Sequence, residues 1–151
     1  MENLQDSIDY RQLVEGAGDA IIASDAQGVI CLWNAASARI FGFSSDEAIG
    51  QNLDIIIPER QRHRHWTGYD ATMASGITRY GTTLLKVPAL HKDGRTLSIA
   101  FTVTLLKAAD KVTHVVAIVR DETARWSEER DLRRRLRAFE DAAGQAGGTD
   151  N

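Results

Sequence analysis

Residues 84–105 read LLKVPALHKDGRTLSIAFTVTL, and this stretch decides the fold. Leu97, Ile99, Phe101, Val103 and Leu105 alternate with Ser98, Ala100, Thr102 and Thr104, the period-two pattern of a strand with one apolar face. Just before it, His91-Lys92-Asp93-Gly94-Arg95 carries the Asp-Gly pair of a tight hairpin turn. Leu84 to Leu90 is then the antiparallel partner strand. Pro88 lacks an amide donor, so this strand belongs at an edge or a bulge. Asp110-Lys111 turns the chain once more into a last strand, Val112 to Val119.

Working back from this meander, residues 19–24 and 29–33 read as a hairpin around Asp25-Ala26-Gln27-Gly28. Asn34 is placed to cap a helix through Ala35, Ala36, Ala38, Ile40 and Phe41, ended by Gly42. Ser44-Ser45-Asp46-Glu47 opens a second short helix, closed by Gly50. A longer helix runs from Pro58 to Ser75, with Gly76 placed to stop it. Helices that cross between hairpin and meander must cover one face of a single sheet. The expected class is α+β, a five-stranded antiparallel sheet with short helices over one face. Residues 1–15 form an N-terminal flanking helix with Ile8, Leu13 and Val14 as its apolar contributions. Residues 16–121 form the domain, and residues 122–143 a charged signalling helix. Residues 144–151 read as a disordered tail.

The chain of 151 residues suits one compact domain with helical extensions, and its net charge of −3 argues against a generic nucleic-acid binder. Cys31, the only cysteine, permits neither an internal disulfide nor a cysteine-based zinc site. The polar, acidic N-terminus lacks the pattern of a signal peptide, and no apolar run is long enough to span a bilayer. These features predict a cytoplasmic protein without a membrane partner. The four histidines form no nucleophile–base pattern, and no phosphate-binding glycine loop is present, so no enzymatic activity is expected.

On the helix from Pro58, Arg62, His65, Trp66, Tyr69 and Met73 share one face, while His63 points roughly the opposite way. An imidazole among aromatic neighbours on a pocket-facing helix is a candidate axial ligand for haem iron. The alternative is a core histidine satisfied by a backbone carbonyl, and spacing alone leaves both open.

Several local motifs resemble a PAS domain. They are residues 19–25 with Gly28, Trp33-Asn34-Ala35-Ala36, Phe41-Gly42-Phe43, Glu47-Ala48-Ile49-Gly50-Gln51-Asn52, Lys92-Asp93-Gly94 and Arg120-Asp121-Glu122-Thr123. The resemblance implies a pocket for a cofactor or small molecule and signalling through flanking helices that often dimerise. Within the family, Pro58 to His65 is similar to the corresponding segment of haem-binding oxygen sensors. This implies His65 as the iron ligand. Leu53 stands where the blue-light flavin subfamily has its photoreactive cysteine, so FMN photochemistry is excluded. The oxygen sensors' distal arginine and methionine correspond here to Leu85 and Thr83. An apolar distal wall of Leu85, Phe101, Val103 and Ile118 suits carbon monoxide or nitric oxide better than dioxygen.

A haem site would further use Leu84, Leu85, Ile99, Phe101 and Val103 as its apolar slot, with Arg62 and Arg79 facing the propionates. Neither Asn nor Gln occurs between Gly81 and Arg120, which argues against a flavin such as FAD. A small organic ligand contacted by Trp66, Tyr69 or Arg62, or a pocket filled by side chains, is the competing expectation. Leu132, Leu136, Phe139 and Ala143 follow 4-3-4 spacing, a short coiled-coil seam that predicts a homodimer. Arg133-Arg134-Arg135-Leu136-Arg137 reads as the solvated face of a charged helix. The expected output is a shift at Arg120, Asp121, Glu122 and Thr123, passed to a separate partner such as a histidine kinase or regulator.

Overall fold

The computed structural model describes residues 3–78 and 80–147. They divide into two compact units, one ending at Asp121 and the other beginning at Glu122. The first unit is built on a five-stranded sheet: β1 Ala20–Asp25, β2 Ile30–Trp33, β3 Leu85–Leu90, β4 Thr96–Ala108 and β5 Lys111–Asp121. Spatial order is β2-β1-β5-β4-β3, and every neighbouring pair is antiparallel. β3 is thus an edge strand, which accommodates Pro88 without breaking the ladder. The first strand and the last lie side by side at the centre.

Register explains which residues face inward. Ala20 pairs Val119 and Ile22 pairs both Ala117 and Trp33, so these side chains share the covered face. On β4, Leu97 and Ile99 lie opposite Ala89 and Val87 of β3. Leu97, Ile99, Val119, Trp33 and Phe41 are among the buried residues of the core. The helices between β2 and β3 complete it: α2 Ala35–Phe41, α3 Ser45–Ala48 and α4 Glu59–Ser75.

Asn34 organises the start of this layer from a site only 2% exposed. Its Oδ1 accepts from the Ile21 amide at 2.9 Å, the Ser37 amide at 3.0 Å and the Ser37 hydroxyl at 2.8 Å. Its Nδ2 donates to the carbonyls of Val14 at 2.9 Å and Asp19 at 3.1 Å. One side chain therefore caps α2, meets β1 and holds the N-terminal segment. α3 begins with a reciprocal capping box between Ser44 and Glu47. Glu47 also pairs with Lys92, whose ammonium holds that carboxyl down at about 2. The Lys92 amide donates to Phe41 at 2.9 Å, so the β3–β4 turn is tied to the end of α2.

The structure corrects the expected N-terminal helix. A 3-10 turn at Leu4–Ser7 stops, and α1 starts afresh at Tyr10–Gly16. Asp9 causes the break, because its carboxylate takes the Gln12 amide at 3.1 Å as a new N-cap. Ile8 and Leu13 stay exposed. The second unit is α5, Thr123–Ala146, with no buried residue. It passes through Gly144, where a disordered tail was expected. Good helix formers on both sides carry a single glycine that costs only about 1 kcal/mol. The remainder of that expected tail, 148–151, lies outside the described residues.

Candidate functional site

α4 carries the site. Pro58 precedes it with φ −55°, and Gly76 closes it in the left-handed region at φ +70°. Tyr69 is buried, and Arg62, His65, Trp66 and Met73 are half-buried, whereas His63 and Arg64 are exposed. Trp66 and Met73 pack against the core cluster that contains Tyr69, Leu97 and Ile99.

Two of the aromatic rings are fixed by long-range hydrogen bonds. Trp66 Nε1 donates to Asp54 Oδ1 at 2.8 Å. Its indole lies against Gly28, where a Cβ would come within 2.1 Å of the ring. Tyr69 donates its hydroxyl proton to the Asp25 carbonyl at 2.5 Å and so accepts from Ser24 Oγ at 3.0 Å. Both rings thereby clamp α4 to the β1–β2 turn. Burial pushes the Tyr69 phenol above its ordinary range.

His65 sits between these rings, its centroid 4.6 Å from Trp66 and 5.7 Å from Tyr69. Its Nδ1 is closed off from solvent and has no hydrogen-bond partner. The core histidine anticipated as an alternative would have its backbone carbonyl here, and that nitrogen has none. Burial holds the imidazole below its usual pKa, partly opposed by the Asp54 carboxylate. The ring is therefore neutral, oriented by packing, and carries an unused nitrogen, the donor state that a metal ligand requires. This chemistry fits an axial ligand to haem.

The remaining sequence-derived residues are distributed as follows. Leu85 lies directly opposite Phe101 across the β3–β4 ladder, with Ile99 two residues along, and Val103 is paired with Ala117. These four share the covered face of the sheet. Leu84 does not join them: it precedes β3 and is 53% exposed. Ile118 is also corrected, because Val119 and Ala117 on either side of it face inward, so it projects from the opposite face. Arg62 donates from Nε to the Ile57 carbonyl at 3.0 Å and from Nη2 to the Asp54 carbonyl at 3.3 Å. It secures the 3-10 turn Leu53–Ile56, leaving Nη1 to meet a carboxylate. Arg79 lies outside the described residues. Leu53 is buried in the core and brings no thiol to the interior.

At the joint, Arg120 grips Asp19 with two hydrogen bonds, Nε at 3.2 Å and Nη2 at 3.0 Å. Asp121 ends β5 opposite Ile99. Glu122 occupies the N-cap position of α5, which opens at Thr123. The two surface concavities described, one beside α1 and β1 and one along α5, do not include His65. Among the described residues no group of three or more His, Cys, Asp and Glu side chains could hold a metal ion, and no helix is long and apolar enough to cross a membrane. A single histidine as axial ligand is compatible with the first statement.

Sequence reasoning missed Asp54, Asp25, Ser24 and Gly28 as partners of the α4 aromatics. Their separations of 12 to 45 residues along the chain leave no local signal. Only the cap of Asn52 on the Asp54 amide, 2.9 Å, could have marked the 3-10 turn.

A sensory fold of this kind, a sheet covered on one face by short helices with an aromatic cluster between them, matches the family model "PAS fold" over residues 8–121. The chain belongs to the PAS family. It is 42% identical over 73 residues to the sensor protein FixL of Bradyrhizobium diazoefficiens, covering 48% of this chain and 13% of that protein. It is 24% identical over 139 residues to the oxygen sensor protein DosP of Escherichia coli, covering 92% of this chain and 17% of that protein. The chain thus spans less than a fifth of the length of these curated relatives. Among solved structures, a PAS domain from Colwellia psychrerythraea is 26% identical with a TM-score of 0.65, covering 76% of this chain and 95% of that one.

Proposed function

We infer that this chain is a haem-binding PAS sensor of a diatomic gas or of redox state, non-catalytic, cytoplasmic and dimeric. Its output runs through α5 to a separate signalling partner such as a histidine kinase or regulator. The observation that carries this reading is His65: a half-buried, neutral imidazole whose solvent-shielded Nδ1 has no partner, held between Trp66 and Tyr69. The similarity to a protein named as an oxygen sensor supports it.

Haem, when bound, would supply an iron able to take a diatomic gas as a ligand. His65 would hold that iron through an imidazole nitrogen. Trp66 and Tyr69, each pinned by a hydrogen bond, fix the plane of the imidazole and so the direction in which it donates. Leu85, Phe101 and Val103 exclude water and present no hydrogen-bond donor from their side chains, which favours carbon monoxide or nitric oxide over dioxygen. Arg62 offers Nη1 to a propionate. A displacement of α4 bears on the β1–β2 turn through Tyr69, and β1 is hydrogen-bonded along its length to β5. β5 ends at Asp121, next to Glu122 and α5, which makes Arg120-Asp121-Glu122-Thr123 the exit for the signal. Gas binding drives this only through unequal affinity for two states.

The packing of Trp66, Tyr69 and Met73 into the core favours the second reading, a cofactor-free interaction module with a filled interior. Haemin added to the purified protein separates the two. A Soret band that survives desalting and disappears in His65→Ala is expected. Failure to retain haem, or an unchanged spectrum in the variant, overturns the assignment of His65.

A further inference from the structure

α5 sorts its charges by face. At about 100° per residue, Arg130, Arg133, Arg134 and Arg137 fall within one arc of about 100°, and Trp126 shares it one turn earlier. All five are exposed, and the arginines line one shallow concavity along the helix. Between Trp126 and Arg137 this arc holds no acid; Asp141, one turn further on, ends it. Along the sequence, acids and arginines interleave and read as a mixed solvated surface. The helical period separates them.

Left alone, this face works against its own helix. Arg130 with Arg134, and Arg133 with Arg137, are like charges four residues apart, and each such pair is repulsive. Acids one turn away do not relieve them. Glu129, the neighbour of Arg133, is held by Arg125 at 3.6 Å. The ion pairs within α5 among the described residues are those of Arg125 with Glu122 and Glu129, so Asp131, Glu140 and Asp141 take none of the four. Arg130 lays its guanidinium over the Trp126 ring, 4.7 Å from the centroid. A multivalent anion relieves such crowding, and every cation of α5 is arginine, whose fork matches phosphate oxygens.

The surroundings select among polyanions. Glu129 and Glu140 lie between Leu136 and Arg133 around the helix and would be pressed onto an anionic bilayer, which disfavours a lipid surface. An acidic peptide leaves the half-exposed indole of Trp126 unused. A single nucleic-acid strand uses both features, phosphates on the arginines and an unpaired base on the ring. A duplex has its bases already stacked. From Arg130 to Arg137 the helix rises about 10.5 Å, room for about three phosphates at 3.4 Å each.

We propose that the α5 face formed by Arg130, Arg133, Arg134 and Arg137, with Trp126, binds single-stranded nucleic acid through its phosphates. This goes beyond the sensor reading and does not depend on haem. It uses the side of α5 away from Leu132, Leu136 and Phe139.

Fluorescence anisotropy of a labelled oligouridine strand, titrated with the full chain, tests the proposal. Three phosphate contacts predict an affinity that falls about 20-fold between 50 and 200 mM salt. Because α5 has no buried residue, substitutions on it leave the fold intact. Arg137→Gln is expected to weaken binding about eightfold at 50 mM salt and to flatten the salt dependence. Arg135→Gln makes the same charge change about 160° away around the helix and is expected to leave binding unchanged. Trp126→Leu is expected to cost about tenfold without altering the salt dependence. No binding at 50 mM salt, or equal losses for Arg137→Gln and Arg135→Gln, overturns the site. An unmoved constant in Trp126→Leu overturns the choice of a single strand. So does equal competition by a duplex, polyglutamate or phosphatidylserine vesicles.

Discussion

Replacing Gly28 with alanine is a direct test of how α4 is held over the sheet. Gly28 sits at φ +77°, where an L side chain costs about 1–2 kcal/mol. The new Cβ would also fall 2.1 Å from Cη2 and 2.4 Å from Cζ3 of Trp66. Reaching ordinary contact requires the indole to retreat by about 1.3 Å. That ring is not free to move, because Nε1 is bonded to Asp54 Oδ1 at 2.8 Å. Losing a hydrogen bond to a carboxylate adds about 1.5–3 kcal/mol. Gly28→Ala is therefore expected to destabilise the protein by about 2.5–5 kcal/mol in all.

Gly50 supplies the control. It has φ +90° and nothing within 4 Å of the point a Cβ would occupy, so Gly50→Ala bears the backbone cost alone, about 1–2 kcal/mol. Urea denaturation followed by far-ultraviolet circular dichroism measures both. The same Gly28 substitution in a Trp66→Leu background should shrink to the cost at Gly50, since the clashing ring is gone. Equal losses for Gly28→Ala and Gly50→Ala in the native background would refute the clamp between Trp66 and the β1–β2 turn.

His65→Phe removes the unpartnered Nδ1 while keeping an aromatic ring, and is expected to raise the stability of the haem-free protein by about 1 kcal/mol at pH 7. Because burial lowers the folded pKa of His65, its neutral form favours folding above the unfolded value; stability falls as pH drops from about 6.5 through the lower folded value. In His65→Phe that acid limb flattens, and an unchanged pH profile in chemical denaturation counts against it. Asn34→Asp keeps the bonds accepted by Oδ1 but points an oxygen at the Val14 and Asp19 carbonyls, for an expected loss of about 3–5 kcal/mol at pH 7. Protonation restores one donor, so that deficit narrows on acidification; a thermal melt matching the native protein at pH 7 excludes the role given to Nδ2.

Much of the sheet is legible because its register repeats a local pattern. The alternation from Leu97 to Leu105 and the Asp93-Gly94 turn are consequences of neighbours in the chain, and β3 to β5 follow from them. The shared face of Arg62, His65, Trp66 and Tyr69 is legible for the same reason, since helical period is local. What that face touches is not. Tyr69 meets Ser24 and Asp25, and Trp66 meets Asp54 and Gly28, through the closing of the tertiary fold. Arg62 looks like a free cation in sequence, yet two of its nitrogens serve the carbonyls of an unforeseen 3-10 turn. Leu84 and Ile118 misled through parity: each is apolar and beside an inward position, and one step along a strand reverses the face. The tail around Gly144 was obscured by treating glycine as a stop where its helical neighbours outweigh it.

The central pairing of β1 with β5 also governs how the chain meets the ribosome. Synthesis proceeds from the N-terminus, so β1 and β2 emerge as a hairpin whose inner edge has no partner until residue 121 has been made. At ordinary elongation rates of roughly 5–20 residues per second, that edge waits about 5–20 s. Ala20 to Asp25 spend this interval as an unpaired template, the state most prone to pairing with another nascent chain. Closing the sheet is thus a late event, which waits until β5 has left the ribosome. Exposure of this edge during synthesis is a route to aggregation separate from the stability of the finished domain.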